Sequence, residues 1–142
     1  MTTSHNPGRK KVLLADDHAG IVEQARQILE HDYEIVGAVN DGAALLETAQ
    51  RVNPDVIISD IRMPNMTGFE AAAKLRELKI PAKLIFMTVH STVPYLKRAR
   101  ALGADGYVLK MHIGEQLLPA VNAVLAGASY LSPELPRGNG WS

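Results

Sequence analysis

Five polar residues close or follow short apolar runs in this 142-residue chain: Asp16 and Asp17 after "KVLLA", Asp60 in "DVIISD", Thr88 in "KLIFMT" and Lys110 in "GYVLK". Three carboxylates gathered in one pocket repel, so at neutral pH they call for protons or a cation. A hard divalent ion with oxygen ligands answers that need; Mg2+ takes one or two carboxylates, keeps several waters and meets a phosphate. Lys110 would add a second positive charge and Thr88 a hydroxyl donor, and a carboxylate is a competent nucleophile for phosphorus, giving an acyl phosphate. A metal clamp, a cationic partner and a hydrogen bond to the equatorial oxygens are what phosphoryl transfer requires. Singly, each residue has a plainer reading. An Asp-Asp pair is more often a solvated turn or a helix cap, a lone Thr or Lys is usually surface, and Asp60 alone could be a solvated loop acid. The conjunction carries the argument.

The elements that must bring these groups together follow from pattern. Continuous β-branched runs at Lys11–Asp16, Asp55–Asp60, Lys83–Thr88 and Gly106–Lys110, with a weaker one at Tyr33–Val39, predict strands covered on both faces, as in a parallel sheet. Helical periodicity lies between them: Ile21, Ala25, Ile28 and Leu29 share a face, as do Leu45, Ala49 and Val52, and Leu117, Val121, Val124 and Leu125. Two more helices are expected from about Gly68 to Leu78 and from about Thr92 to Leu102, the second capped by Ser91 or Thr92 with Pro94 in its first turn. Pro119 is tolerable only if the last helix begins just before it. Strand and helix thus alternate five times, which predicts a doubly wound α/β sheet. With strand order 2-1-3-4-5, Asp16, Asp17, Asp60, Thr88 and Lys110 all fall at the carboxyl edge, where ligands bind at the point of strand reversal.

Composition narrows the function classes. Fifteen Lys plus Arg balance fifteen Asp plus Glu, so a nucleic-acid partner for this chain alone is disfavoured, and the absence of cysteine excludes disulfides and thiolate chemistry. The polar start "MTTSHNPGR", residues 1–9, is expected to be a disordered arm, and no stretch approaches the roughly 20 apolar residues of a membrane span. A cytoplasmic single-domain protein with no membrane partner is the resulting expectation. From Ala128 the segment "ASYLSPELPRGNGWS" loses periodicity and is expected to be an irregular or mobile tail, or the start of a linker, over 128–142.

The motifs "LLADDH", "VIISDIRMPNMTGFE", "FMTVH" and "GADGYVLK" together resemble a response-regulator receiver domain of two-component signalling, over residues 10–127. The resemblance implies a flavodoxin-like (βα)5 fold and a phosphoryl group accepted on Asp60 from a histidine kinase or phosphotransfer protein. It implies Mg2+, or Mn2+ in its place, held by Asp17, Asp60 and the Arg62 backbone carbonyl, with Asp16 acting through water. Lys110 and Thr88 would contact the phosphoryl oxygens, and Tyr107 would change rotamer as Thr88 moves, altering an α4-β5-α5 surface offered to an output partner or to a second copy in a phosphorylation-linked homodimer. Tyr107 could equally be an ordinary strand aromatic. Such a domain catalyses only its own phosphorylation and dephosphorylation. Val89 departs from the small residue common after the Thr, and Met111 from the Pro common after the Lys. Arg62 and His90 flank the expected acyl phosphate and would tune its hydrolysis, although His90 is also readable as a plain loop histidine. "AVLAGASYLSPEL" resembles the end of receivers in regulators with a LuxR-type helix-turn-helix domain, so the chain reads as a stand-alone receiver or as a piece of a transcription factor. The rivals are a receiver-like module that binds constitutively, a Mg2+ phosphatase of the haloacid-dehalogenase type and a flavodoxin-like cofactor binder. The phosphatase would need an acid where Arg62 stands, and the cofactor binder a phosphate-cradling loop where "DDH" stands.

Overall fold

A computed structural model describes residues 8–141. Most of the arm expected over residues 1–9 therefore lies outside the described residues; Arg9 is described and donates to the Glu30 carbonyl. The chain alternates β1 (Lys11–Ala15), α1 (Ala19–Leu29), β2 (Glu34–Val39), α2 (Gly42–Val52), β3 (Val56–Ser59), α3 (Gly68–Glu77), β4 (Lys83–Thr88), α4 (Val93–Ala101), β5 (Gly106–Leu109), α5 (Ile113–Leu125) and β6 (Tyr130–Leu131). The strands form one parallel sheet in the order β2-β1-β3-β4-β5-β6. This is the flavodoxin-like doubly wound α/β fold, with order 2-1-3-4-5 as expected and one short strand added at the far edge. None of the described helices is long and apolar enough to cross a membrane.

Alternation along each strand builds two cores, because successive side chains point to opposite faces. Val12, Leu14, Val56, Ile58, Ile85, Met87 and Val108 face α1 and α5, where Ala25, Leu29, Leu117, Val121 and Val124 complete one buried cluster. Leu13, Ala15, Ile57, Leu84, Phe86 and Tyr107 face α2, α3 and α4 in the other. Fully apolar runs are the consequence of being covered twice. The weaker second run is weaker because β2 is an edge strand whose residues are mostly half-exposed.

Two local expectations change. Pro119 lies well inside α5 rather than at its start, but it faces solvent, so the Glu115 carbonyl that loses its usual donor is open to water. Thr92 occupies the N-cap position of α4 without a side-chain hydrogen bond, and Pro94 sits in the first turn as expected. A larger departure is the segment from Ala128. It pairs with β5 through β6 and buries Leu131, Leu135 and Trp141 against the α2–α3–α4 side, so it is anchored despite its irregular backbone.

The loop from Asp60 to Gly68 is the most tightly specified connection. Gly68 donates its N–H to the Ile61 carbonyl, and a Cβ on Gly68 would lie 2.0 Å from the Asp60 carbonyl oxygen. Asn65 takes a left-handed φ of 68°, and Thr67 and Glu70 form a reciprocal capping box at the start of α3. Gly42, at the start of α2, donates to the Met66 carbonyl, and Asn65 donates to Asp41, so α2 braces the same loop. Gly68→Ala should therefore cost about 1–3 kcal/mol or more, because the new methyl meets backbone that cannot yield. Thr67→Ala should cost about 1 kcal/mol from the lost cap. Urea unfolding measures both, and a Gly68→Ala protein within about 0.5 kcal/mol of wild type would contradict the close approach.

Candidate functional site

Sheet order makes the site. β1 and β3 are neighbours, and the Asp60 N–H donates 2.8 Å to the Ala15 carbonyl, so Asp16 and Asp60 leave adjacent strands side by side. Each strand ends one residue before its acid or ammonium, which leaves Asp16, Asp60 and Lys110 at the first positions beyond β1, β3 and β5. Asp16 and Asp60 are 2% and 4% exposed and Lys110 8%, deep enough for charge–charge contacts to be little screened. Lys110 Nζ lies 2.8 Å from Asp60 Oδ2 and 2.8 Å from Asp16 Oδ2. Burial by itself lowers the ammonium's pKa, but its close pairing with the Asp16 and Asp60 carboxylates outweighs it and holds Lys110 above its ordinary value. Asp60 Oδ1 accepts from the Ile61 N–H at 2.7 Å.

Asp17 lies at the exposed rim and with Arg62, Met63, Pro64 and Thr67 lines an open cavity of about 400 Å3. His18 was not among the residues singled out from sequence, and the structure places it in the cluster. Its Nδ1 lies 2.9 Å from Asp16 Oδ1, 3.3 Å from Asp17 Oδ1 and 3.2 Å from Lys110 Nζ. One ligand atom from each of Asp16, Asp17, His18 and Asp60 falls within 4.8 Å of all the others. The donor set suits a hard divalent cation. Asp16 Oδ2 is buried and accepts no hydrogen bond of good geometry, although Lys110 stands near it, so one carboxylate oxygen retains lone pairs for a cation. The carboxylates outnumber the ammonium, and the excess negative charge points the same way.

Thr88 and Tyr107 form a second layer beside this cluster. Thr88 is fully buried at the end of β4, and its Oγ1 accepts the His90 N–H at 3.2 Å. Tyr107, also fully buried, donates its hydroxyl 2.7 Å to the His90 carbonyl. Burial raises the phenol's pKa, with Tyr95 and Asp60 adding smaller contributions, so the hydroxyl remains a donor. The His90 ring stacks on Tyr95 with centroids 4.3 Å apart, so this residue joins Thr88 to Tyr107 through its backbone while its ring packs on α4. Arg62 is exposed and lines the Asp17 cavity. Val89 and Met111, the two departures from the motif pattern, are 70% and 79% exposed and with His18, Gly20, Ile21 and Lys110 border a further cavity of about 520 Å3.

Comparison with known proteins agrees with this geometry. Residues 12–122 match the response regulator receiver domain family. The chain is 31% identical over 137 residues to the transcriptional regulatory protein DegU of Brevibacillus brevis, an alignment covering 95% of this chain and 58% of that protein. It is 34% identical over 126 residues to the nitrate/nitrite response regulator protein NarL of Escherichia coli K12, covering 87% of this chain and 58% of NarL. Among solved structures, a LuxR-family two-component response regulator from Aurantimonas superposes with a TM-score of 0.85 at 28% identity, covering 90% of this chain and 93% of that one. The chain thus spans somewhat over half the length of these curated relatives. The matched family is one of signalling regulators rather than a classical enzyme family, and its receivers characteristically carry an acidic pocket like that of Asp16, Asp17 and Asp60. This chain belongs to the response regulator receiver domain family.

Proposed function

We propose that the chain is a phospho-accepting switch in which Asp60 takes a phosphoryl group from a histidine kinase or phosphotransfer protein. The observation that carries this reading is the convergence of Asp16, Asp60 and Lys110 in one buried cluster, with Thr88 paired to Leu109 on the neighbouring strand. Asp17, Asp60 and the Arg62 carbonyl would hold Mg2+, with Asp16 beside it, and the cation when bound supplies neutralising charge to phosphoryl oxygens. The Asp60 carboxylate attacks phosphorus; a P–O bond forms, the P–N bond of a phosphohistidine breaks, and its electron pair stays with the imidazole. Lys110, now paired with two carboxylates, swings its ammonium onto the phosphoryl oxygens, and the Thr88 hydroxyl donates to them. Tyr107 registers that movement through His90, to whose carbonyl it is bonded. Arg62 and His90 govern the access of water to the acyl phosphate.

Receiver function is assigned to residues 10–127, with 128–142 as the segment that follows. The relatives named above are transcriptional and nitrate/nitrite regulators, which supports an output exerted through the α4-β5-α5 side on a DNA-binding module or a separate partner, in the cytoplasm. Incubation with acetyl phosphate should label the protein once, at Asp60, only when Mg2+ is present. Asp60→Asn should remain unlabelled by intact-mass measurement, and equal labelling of that variant overturns the assignment.

A second expectation concerns Lys110 as the internal cation. Lys110→Met leaves Asp16 and Asp60 facing each other without their partner, a loss expected to cost about 3–5 kcal/mol in EDTA. Mg2+ should shrink that penalty in urea unfolding. Because the folded-state pKa of Lys110 is raised, its contribution is fully present below its ordinary value of 10.5 and is lost as pH climbs through the raised one. The gap between wild type and Lys110→Met should accordingly be constant on the neutral side of pH 10.5 and narrow above it.

A further inference from the structure

Residues 130–141 are built as a strap across the α4–β5 side. Tyr130 and Leu131 pair with Gly106 and Tyr107. The Arg137 guanidinium donates to the carbonyls of Leu131, Ser132 and Leu135, which folds the next turn into a fixed shape. Gly138 and Trp141 exchange two backbone hydrogen bonds around Asn139 and Gly140, whose φ angles are 57° and 90°. Asn-Gly at the centre of such a turn suits the positive φ values of a tight hairpin. The turn delivers Trp141, 3% exposed, onto α4, where its Nε1 donates 3.0 Å to the Leu96 carbonyl. Arg100 holds the same turn from α4, with its Nε donating to the Gly140 carbonyl and its guanidinium carbon 5.1 Å from the indole centroid.

Two contacts tie this strap to β5, the strand that leads into Lys110. The Trp141 ring packs edge-on against Tyr107, with centroids 6.2 Å apart at 74°. At the other end, Ser132 Oγ accepts the N–H of Leu109, the residue before Lys110. Gln116 of α5 fixes Ser132 and Glu134 from behind. The Tyr107 ring is enclosed, between the β4–α4 loop that accepts its hydroxyl and the indole of the strap, and can leave only by displacing one of them.

We propose that the 130–141 strap, through Trp141, holds Tyr107 in its buried position and so couples the α4–β5 face to occupancy of the acidic pocket. The proposal rests on the phospho-acceptor reading above. A phosphoryl group that draws Thr88 and its loop inward makes room for a buried Tyr107, and the strap makes its contacts with the ring in that same position. Both therefore favour one state, and by linkage each must strengthen the other. α4 meets a partner with its Leu96 carbonyl and Arg100 already engaged by the strap, while Lys97 and Arg98 stay exposed.

The test uses the 142-residue protein with Mg2+ and beryllofluoride, followed by fluorine NMR for affinity and by emission of Trp141, its sole tryptophan. Wild type should show a saturable change in Trp141 emission that Asp60→Asn lacks. Trp141→Ala, and Arg100→Gln as the variant that keeps the indole, should each bind beryllofluoride roughly fivefold or more weakly. A purely structural role for the strap would lower stability in urea yet leave beryllofluoride affinity unchanged in the folded variants. That result, or tighter binding by either variant, overturns the coupling while leaving the phospho-acceptor reading intact. Failure of wild type to bind beryllofluoride would overturn both.

Discussion

The Lys110 ammonium, lodged 2.8 Å from carboxylates that leave two other strands, is the contact on which the site depends. At an effective dielectric near 20, each such contact is worth about 4–6 kcal/mol of attraction. Removing three charges from water costs several kcal/mol apiece, so the cluster comes out near balance. It is therefore a poor explanation of why the domain is stable. Its physical effect is to offset the repulsion between two buried carboxylates mounted side by side on neighbouring strands. A cluster close to balance is also easily rearranged: a divalent ion can replace the ammonium among the acids without the fold losing a large stabilising term.

Rigidity has to come from elsewhere, and it comes from the sheet. Asp16 and Asp60 are fixed by strands buried on both faces, and the Asp60 N–H completes the ladder to Ala15. Beyond Asp60 the chain is held by the near-contact of Gly68 with the Asp60 carbonyl and by the capping box at Thr67. Around these fixed acids lie solvent-facing groups. His18 and Asp17 are exposed at the head of α1, and Thr88 opens into a loop whose next residue, Val89, is 70% exposed. In the proposed switch, fixed acids face an exposed β4–α4 loop that can answer a change of charge.

Much of this was legible in the sequence because burial on both faces writes continuous apolar runs, and polar residues at their ends stand out. Asp16, Asp60, Thr88 and Lys110 could be placed on one edge from order alone. His18 escaped notice because a histidine at the head of a helix has an ordinary reading as a helix start, and only the fold brings Lys110, far away in sequence, to its ring. The strap escaped for a different reason. Pro133, Pro136, Gly138 and Gly140 erase any period, and period was the signal in use. The Asn139-Gly140 pair was a usable local sign of a tight turn. Nothing local, however, could reveal that the turn would carry Trp141 to Tyr107.

That long-range contact changes what the α4–β5 side is. An uncovered face would switch by altering its own shape, and a partner would read that shape directly. Here β5 is not an edge, since β6 pairs beyond it, and one side of α4 is engaged by an indole tied to its own Leu96 carbonyl. In the proposed coupling, movement of Tyr107 is expressed as tightening or loosening of that contact. The indole is well suited to transmit it, because aromatic edge contacts are directional and lose their favourable geometry when one ring turns. Arg100 adds a hydrogen bond and a cation–π contact that both require the Asn139-Gly140 turn in place. In the proposed coupling the strap acts as a latch on Tyr107, and the small energies of its separate contacts favour reversible release over permanent closure.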